Sequence, residues 1–259
     1  MRILGEKWRL LETGFNNAFY NMALDEAVSA ARRMNLVPNT IRFYRWNPSA
    51  VSIGYFQSME EEVDVEACRR LGTDFVRRVT GGGAVYHDRD GELTYSIVVN
   101  SDHKIVSLDF QKTYEKICSG LVMGLRLLGV PAEFMPINDI VVSGKKISGN
   151  AQTRSLGVIL QHGTILRDVN PSLMFTVLKV PGEKIRDKMI KAVEERVTSL
   201  KTYLNREVSF EELKEALAKG FEKALGIELS PGEVSDFEKE TAEKLAKTKY
   251  STKEWNFKR

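Results

Sequence analysis

The sequence predicts an α+β protein, and two patterns carry that prediction. Short strand-like runs crowd into the first two thirds of the chain, mostly as neighbours in sequence, while helix-periodic segments lie before, between and after them. Strands and helices do not alternate as repeated βαβ units, which argues against a doubly wound parallel sheet. With 42% apolar and 28% charged residues among 259, the chain can bury a sizeable core. One domain over 1–259 is expected, strand-rich to about residue 170 and helical and charged from Pro171 onward.

The first helix is capped by Asn16 or Asn17 and reaches about Met34, because Phe19, Ala23, Ala27, Ala30 and Met34 recur at helical spacing. Ile41-Arg-Phe-Tyr-Arg-Trp46 and Val51-Ser-Ile-Gly-Tyr-Phe56 read as strands about Asn47-Pro48, and the pair predicts a hairpin. A short helix closes at Leu71-Gly72, followed by a strand over Phe75–Arg78, three glycines, and a further strand from Leu93 to Val99. Phe110, Tyr114, Ile117, Leu121, Leu125 and Leu128 stripe a helix from about Ser107 to Gly129, with Cys118 beside the stripe. Asp139–Val142 and Lys145–Ser148 form a hairpin on Ser143-Gly144, and Val158–Leu166 makes another strand. Ser209 and Glu212 predict a capping box ahead of Leu213, Leu217, Phe221 and Leu225, with Gly226 as the stop. A last helix is expected from about Pro231 to just before Tyr250.

Several functional classes are excluded early. A net charge of +3 is too small to mark a nucleic-acid surface. No run of about 18 apolar residues occurs, and Met1-Arg-Ile-Leu-Gly-Glu-Lys-Trp-Arg9 breaks any leader-like apolar stretch, so no membrane association and a cytoplasmic location are expected. Cys68 and Cys118 stand alone, without CxxC spacing, which fits a reducing compartment and gives no thiol zinc site. His87, His103 and His162 are widely separated and form no HExxH, and no GxSxG elbow is present.

The richest stretch is Arg77-Arg78-Val79-Thr80-Gly81-Gly82-Gly83-Ala84-Val85-Tyr86-His87-Asp88. Three glycines after a strand allow backbone amides to converge on an anion or an adenylate, with two arginines upstream to neutralise it. It is neither a P-loop nor the dinucleotide GxGxxG. A glycine-rich turn with solvated arginines has the same pattern, so spacing alone leaves both readings open. The second stretch is Asn138-Asp139-Ile-Val-Val-Ser-Gly-Lys145-Lys146-Ile147-Ser148-Gly149-Asn150-Ala151. If Ile147 enters the core, alternation turns Lys146 and Ser148 to the opposite face, where Gly149 lets a ligand approach the backbone. An ammonium there could stabilise charge developing at an α-phosphate, and Asp139 could hold a magnesium ion. Two lysines solvating a hairpin end, and a turn opened by Asn138-Asp139, are the plainer readings.

Together these residues resemble the lipoate-protein ligase A family, within the biotin and lipoate ligase superfamily. Seven blocks carry the resemblance in family order: Asn21–Ala27, Arg77–Asp88, Asn138–Ile140, Lys146–Gly149, His162–Thr164, Arg196–Thr198 and Tyr250–Asn256. The resemblance implies a large, mostly antiparallel sheet flanked by helices, with an acyl-adenylate across the glycine motif. It further implies ATP, Mg2+ and lipoate as reactants, and Lys146 as the lysine bridging lipoyl carboxyl and AMP phosphate. Arg78, Gly82, Gly83, Ala84, Val85, Tyr86 and His87 would line the lipoyl and nucleotide pocket, as would Asn138, Asp139, Ser148, Gly149, Ala151, His162, Gly163 and Thr164. Asp139 matches the acidic position near metal and phosphate. The acceptors would be lipoyl carrier domains, namely 2-oxoacid dehydrogenase E2 subunits and the glycine-cleavage H protein.

Two departures from the family pattern are visible. Full-length ligases carry a small accessory domain, and this sequence stops just after Trp255-Asn256, so a separately encoded accessory subunit is expected. Related octanoyltransferases use a cysteine shortly before or after the lysine motif, and no cysteine follows Cys118 here. Gln152-Thr-Arg154 and Val158-Ile-Leu-Gln-His162 nevertheless resemble the transferase branch. The expected function is ATP-dependent activation of lipoate and transfer to a carrier lysine, with octanoyl transfer from acyl carrier protein as the alternative. A non-catalytic lipoyl-carrier binding protein is the alternative of another class.

Overall fold

The computed structural model describes residues 5–180 and 182–258, so the reading of Met1–Leu4 falls outside the described residues. Eleven strands are present among them: β1 (Glu6–Asn16), β2 (Thr40–Trp46), β3 (Ala50–Ile53), β4 (Asp74–Arg77), β5 (Val85–His87), β6 (Glu92–Asn100), β7 (Glu133–Met135), β8 (Asp139–Val142), β9 (Lys145–Ser155), β10 (Val158–Leu166) and β11 (Ile227–Pro231). Eight form one sheet in the order β11-β1-β2-β6-β10-β9-β8-β7, and the other three form a small sheet, β4-β3-β5. From β2 to β7 every pairing in the large sheet is antiparallel, while β1 runs parallel to both β2 and β11.

Helices cover both faces. On one lie α4 (Phe110–Leu127) and α8 (Phe210–Leu225), on the other α1 (Ala18–Arg33) and α9 (Asp236–Leu245). Strand alternation sorts the side chains between them. Ile41, Phe43, Tyr95, Ile97 and Ile159 pack toward Ile117, Leu121, Leu217 and Phe221. Tyr44, Trp46, Val98 and Leu160 face Leu24, Ala27 and Val28. Each such aliphatic side chain, taken fully out of water, contributes about 1.5–3 kcal/mol. The remaining helices are α2 (Met59–Glu62), α3 (Val65–Leu71), α5 (Pro171–Val177), α6 (Glu183–Arg196), α7 (Leu200–Leu204) and α10 (Lys253–Asn256), with a π-type turn at Ala246–Tyr250.

The α+β expectation and the large flanked sheet are borne out, with corrections in detail. Asn17 is the cap of α1, its side chain accepting from the Tyr20 amide. The hairpin about Asn47-Pro48 does not form, because β2 joins the large sheet and β3 the small one. Both strands are buried on both faces, so each takes neighbours from its own sheet rather than the other strand. Strands β1, β5, β7 and β11 escaped the sequence reading, as β5 and β7 are three residues each and β1 and β11 are polar segments without clean alternation. Phe110 and Met34 end exposed, at helix ends past the packed stripe. Ser209 caps α8 through the Glu212 amide, but the Glu212 carboxylate pairs with Arg206 and does not close the box.

Candidate active site

A cavity of about 330 Å³ opens between the α1 face of the large sheet and the small sheet. Arg78, Gly82, Gly83, Ala84, Val85, Tyr86 and His87 line it from the small-sheet side. Asn138, Lys146, Gly149, Ala151, His162, Gly163 and Thr164 line it from the turn before β8 and from β9 and β10. Asp139 and Ser148 are not part of its wall.

The β8–β9 hairpin carries Lys146. Ile140 pairs with Ser148 but Val141 pairs with Lys146, so Ile147 is an extra residue, a bulge that enters the core. The bulge breaks the strict alternation expected around Ile147. Lys146 therefore reaches the cavity, whereas Ser148 is fully buried and accepts from the Asn150 side chain at 3.4 Å. Lys146 Nζ lies 2.7 Å from Asp139 Oδ1 in an ion pair whose angles are not those of a hydrogen bond, and that oxygen has no hydrogen-bond partner. Gly149 permits the arrangement, since a Cβ there would stand 2.9 Å from both Cε and Nζ of Lys146. Lys145 points away and donates to the Glu194 carbonyl at 3.0 Å.

Neither arginine is solvated, as the plain-turn reading of the sequence would have it. Arg77 is 1% exposed, and its guanidinium donates to the carbonyls of Gly54, Tyr55, Gln57, Trp255, Asn256 and Lys258. Asn256 and Trp255 answer by bonding the Arg77 amide and carbonyl at 2.7 and 2.8 Å, so the Tyr250–Asn256 block clasps the end of β4. Arg78 holds the glycine loop itself, through Gly81 O at 2.7 Å and Gly83 O at 2.8 Å. Burial lowers its pKa to about 10. A Cβ at Gly54 would lie 2.0 Å from the Gly82 carbonyl, so only glycine at 54 admits the loop in this form. With the Gly81 and Gly83 carbonyls turned to Arg78, the amides of Gly81, Gly82, Gly83 and Ala84 make no hydrogen bond within the described residues, as an anion cradle needs.

Two hydrogen-bonded relays leave Arg78. One runs from Nη1 to Ser52 Oγ (3.1 Å), on to His87 Nε2 (2.8 Å), and from His87 Nδ1 to Glu92 Oε1 (2.7 Å). The other runs from Nε to Thr80 Oγ1 (3.1 Å), to His162 Nε2 (2.8 Å), and from His162 Nδ1 to Asp25 Oδ2 (3.1 Å). The hydrogen-bond network assigns the Nδ1–H tautomer to both rings. Burial lowers the His162 pKa despite the Asp25 contact, keeping it neutral. Burial pushes the Asp25 carboxyl up, but the His162 hydrogen bond and the Arg42 charge outweigh it and hold it below the ordinary value. Ser52, Glu92, Thr80, Asp25 and Trp46 were missed in the sequence. The available signal was Asp25, a carboxylate on the buried face of α1.

Neither thiol reaches this cavity. Cys118 is buried beneath α4 against Gln161, and Cys68 lies in a separate cluster with Val51, Ile53 and Met59. Burial pushes both up to about 12. Among the described residues no group of three or more His, Cys, Asp or Glu could hold a metal ion. A magnesium ion beside Asp139 would take one protein carboxylate and its other ligands from phosphate and water, a common coordination for that ion. No helix among the described residues is long and apolar enough to cross a membrane.

The chain has counterparts among known proteins. The chain is 44% identical to octanoyltransferase LipM of Kyrpidia tusciae, over 98% of this chain and 100% of that protein. It is 36% identical to octanoyltransferase LipM of Bacillus subtilis, covering 98% and 99%. Among solved structures, a bi-partite lipoate protein ligase from Thermoplasma acidophilum, described with its E2 lipoyl domain, superposes with a TM-score of 0.87 at 36% identity, covering 98% of this chain and 96% of that one. A lipoate-protein ligase A bound with ATP gives 0.82 at 34% identity, covering 98% and 99%. Residues 17–222, which run from the cap of α1 through the glycine loop and Lys146 into α8, match the lipoyl protein ligase A/B catalytic domain, and the chain belongs to that family of enzymes.

Proposed function

We propose that this chain attaches an eight-carbon acyl group of the lipoyl type to a lysine of a lipoyl carrier domain, using lipoate activated by ATP. The observation that carries the reading is the half-exposed Lys146 ammonium in the wall of a cavity that is also lined by the glycine loop and by Tyr44, Trp46 and Tyr86. Lys146 would hold the carboxylate and then the phosphate of the mixed anhydride, stabilising charge as the carboxyl oxygen attacks the α-phosphorus and pyrophosphate departs. The free amides of the glycine loop would take the phosphate or the acyl oxygen. In the second step the carrier amine attacks the acyl carbon, AMP leaves, and the amine's proton passes to solvent. Mg2+ would enter with the nucleotide, Asp139 offering one ligand. The bi-partite neighbour supports a small accessory subunit for the activation step.

The names of the relatives favour a second reading, octanoyl transfer from an acyl carrier thioester. Acyl transfer through a cysteine needs a thiolate at the acyl carbon, and both thiols here are buried away from the cavity with raised pKa values. That reading therefore requires direct attack of the carrier lysine on the thioester, or a nucleophile other than cysteine. The deciding experiment incubates the chain with an unmodified lipoyl domain and either lipoate with MgATP or octanoyl-acyl carrier protein, reading the domain's mass and pyrophosphate release. Lipoyl attachment with pyrophosphate supports the ligase. Attachment only from the thioester replaces it with the transferase, and no attachment from either donor removes both.

A further inference from the structure

The two relays from Arg78 end on carboxylates of different saturation, and one of these faces the acyl cavity. Asp25 accepts from His162, Arg42 (2.8 Å), Ser96 (2.7 Å) and Tyr44 (3.2 Å), so both its oxygens are filled. Glu92 is 1% exposed and accepts from His87 and from the Thr94 hydroxyl (2.8 Å), both on Oε1. Its Oε2 has no partner. Thr94 itself accepts from Trp46 Nε1 at 2.7 Å, and the Trp46 ring stacks on His87 at 4.0 Å. Every donor in this cluster is thus spent and directed toward Glu92, which leaves only acceptor capacity. A buried carboxylate oxygen without a donor is costly and rare in native proteins.

The cluster is the buried part of the cavity wall. Trp46, Ser52, His87 and Glu92 are 5% exposed or less, whereas the Lys146 side chain is 42% exposed. Lys146 and Glu92 line the same cavity, and on the acyl-cavity reading above, on which this inference rests, an acid held by its carboxyl at Lys146 can extend its distal end toward the buried cluster. We propose that Glu92 makes this buried part of the wall a polar subsite, selecting acyl chains of about eight carbons that carry an O–H or S–H donor at the distal end. Such chains are hydroxylated fatty acids or the opened, dithiol form of a lipoyl group. An octanoyl methyl supplies no donor, and a closed dithiolane supplies only weakly accepting sulfur. Glu92 lines the cavity and its terminal carboxylate torsion is soft, so a donor arriving there can draw Oε2 toward it at some cost to the Oε1 bonds from His87 and Thr94.

The test is calorimetric titration of the full chain with octanoate, 8-hydroxyoctanoate, lipoate and dihydrolipoate. The hydroxy acid is expected to bind about tenfold or more tighter than octanoate, and dihydrolipoate tighter than lipoate by a smaller factor, since S–H is the weaker donor. In Glu92→Gln, which exchanges the spare acceptor for an amide, the ratio falls to about one. Equal affinity of octanoate and its hydroxy analogue for the unaltered chain overturns the proposal, and this comparison stands even if the variant fails to fold. A preference that survives Glu92→Gln overturns it equally. Failure of all four acids to bind would instead remove the acyl-cavity reading, and this inference with it.

Discussion

The two walls of the cavity are built on opposite principles. On the small-sheet side, Ser52, Arg78 and His87 are buried, and their polar atoms are tied to carbonyls, hydroxyls or carboxylates of the fold. On the β8–β9 side, Lys146 and Asp139 are half-exposed and held mainly by each other. A wall with satisfied hydrogen bonds keeps its shape and suits recognition, while a partly solvated lysine can follow a reacting group. A basic residue beside a glycine loop is therefore insufficient to mark a reactive centre: Arg78 braces the wall and Arg77 ties β4 to the 255–258 segment, while Lys146 alone of the three is partly solvated in the cavity.

The largest effect expected of this contrast is at Lys146. Lys146→Ala should cost about 3 kcal/mol or more of transition-state stabilisation in carrier acylation, as when a preorganised electrostatic donor is lost. Lys145→Ala, which loses only a surface bond to Glu194, should change the rate little. Equal losses in a single-turnover assay of the two variants would erase the distinction between the walls.

On the rigid side, Gly54→Ala forces the Gly82 carbonyl away from a methyl group at 2.0 Å. Overpacking of this kind costs about 1–3 kcal/mol, so a denaturant midpoint should drop while acid binding weakens through the displaced loop. An unchanged midpoint together with unchanged binding would show that the loop is not held as described.

The relays sharpen the comparison through pH. The folded pKa of His162 lies below its ordinary 6.5, so the unfolded chain binds a proton that the native chain resists. The stability this confers is present above about 6.5 and is lost as pH falls below that value through the lowered folded one. Asp25, also lowered, adds a second loss in stronger acid, below its ordinary 3.8. Melting temperatures measured from about pH 7 to pH 5 should fall less steeply in His162→Gln than in the unaltered chain. Identical slopes would place the titration elsewhere. The smallest effect on activity is expected from Cys68→Ser with Cys118→Ser, which should retain acylation in whatever fraction stays folded. An acyl adduct trapped on either thiol of the unaltered chain would contradict that.

Much of this was written in local sequence. Asn17, the α8 stripe, the Ser143-Gly144 turn and the glycine run each act over a few residues, so periodicity, caps and turn chemistry reveal them. The resemblance of the seven blocks likewise placed Lys146, the glycine loop and His162 around one cavity before any coordinates. What escaped depended on partners far away in the chain. Ser52 reads as one polar residue in an apolar strand until His87 is brought beside it, and Arg77 reads as a solvated cation until Trp255 and Asn256 close over it.

The sequence by itself determined the fold class, most of the elements and the family, because these follow from patterns repeated along the chain. Only the tertiary structure decided which polar groups are spent and which are free. Hydrogen-bond capacity is consumed pairwise by groups that folding brings together, and no spacing along the chain reveals that a guanidinium has six carbonyl partners or that one oxygen of Glu92 has none. The bulge at Ile147 makes the same point for geometry: one extra residue in β9, visible only once β8 pairs with it, separates Lys146 from Ser148 and gives the cavity its lysine alone.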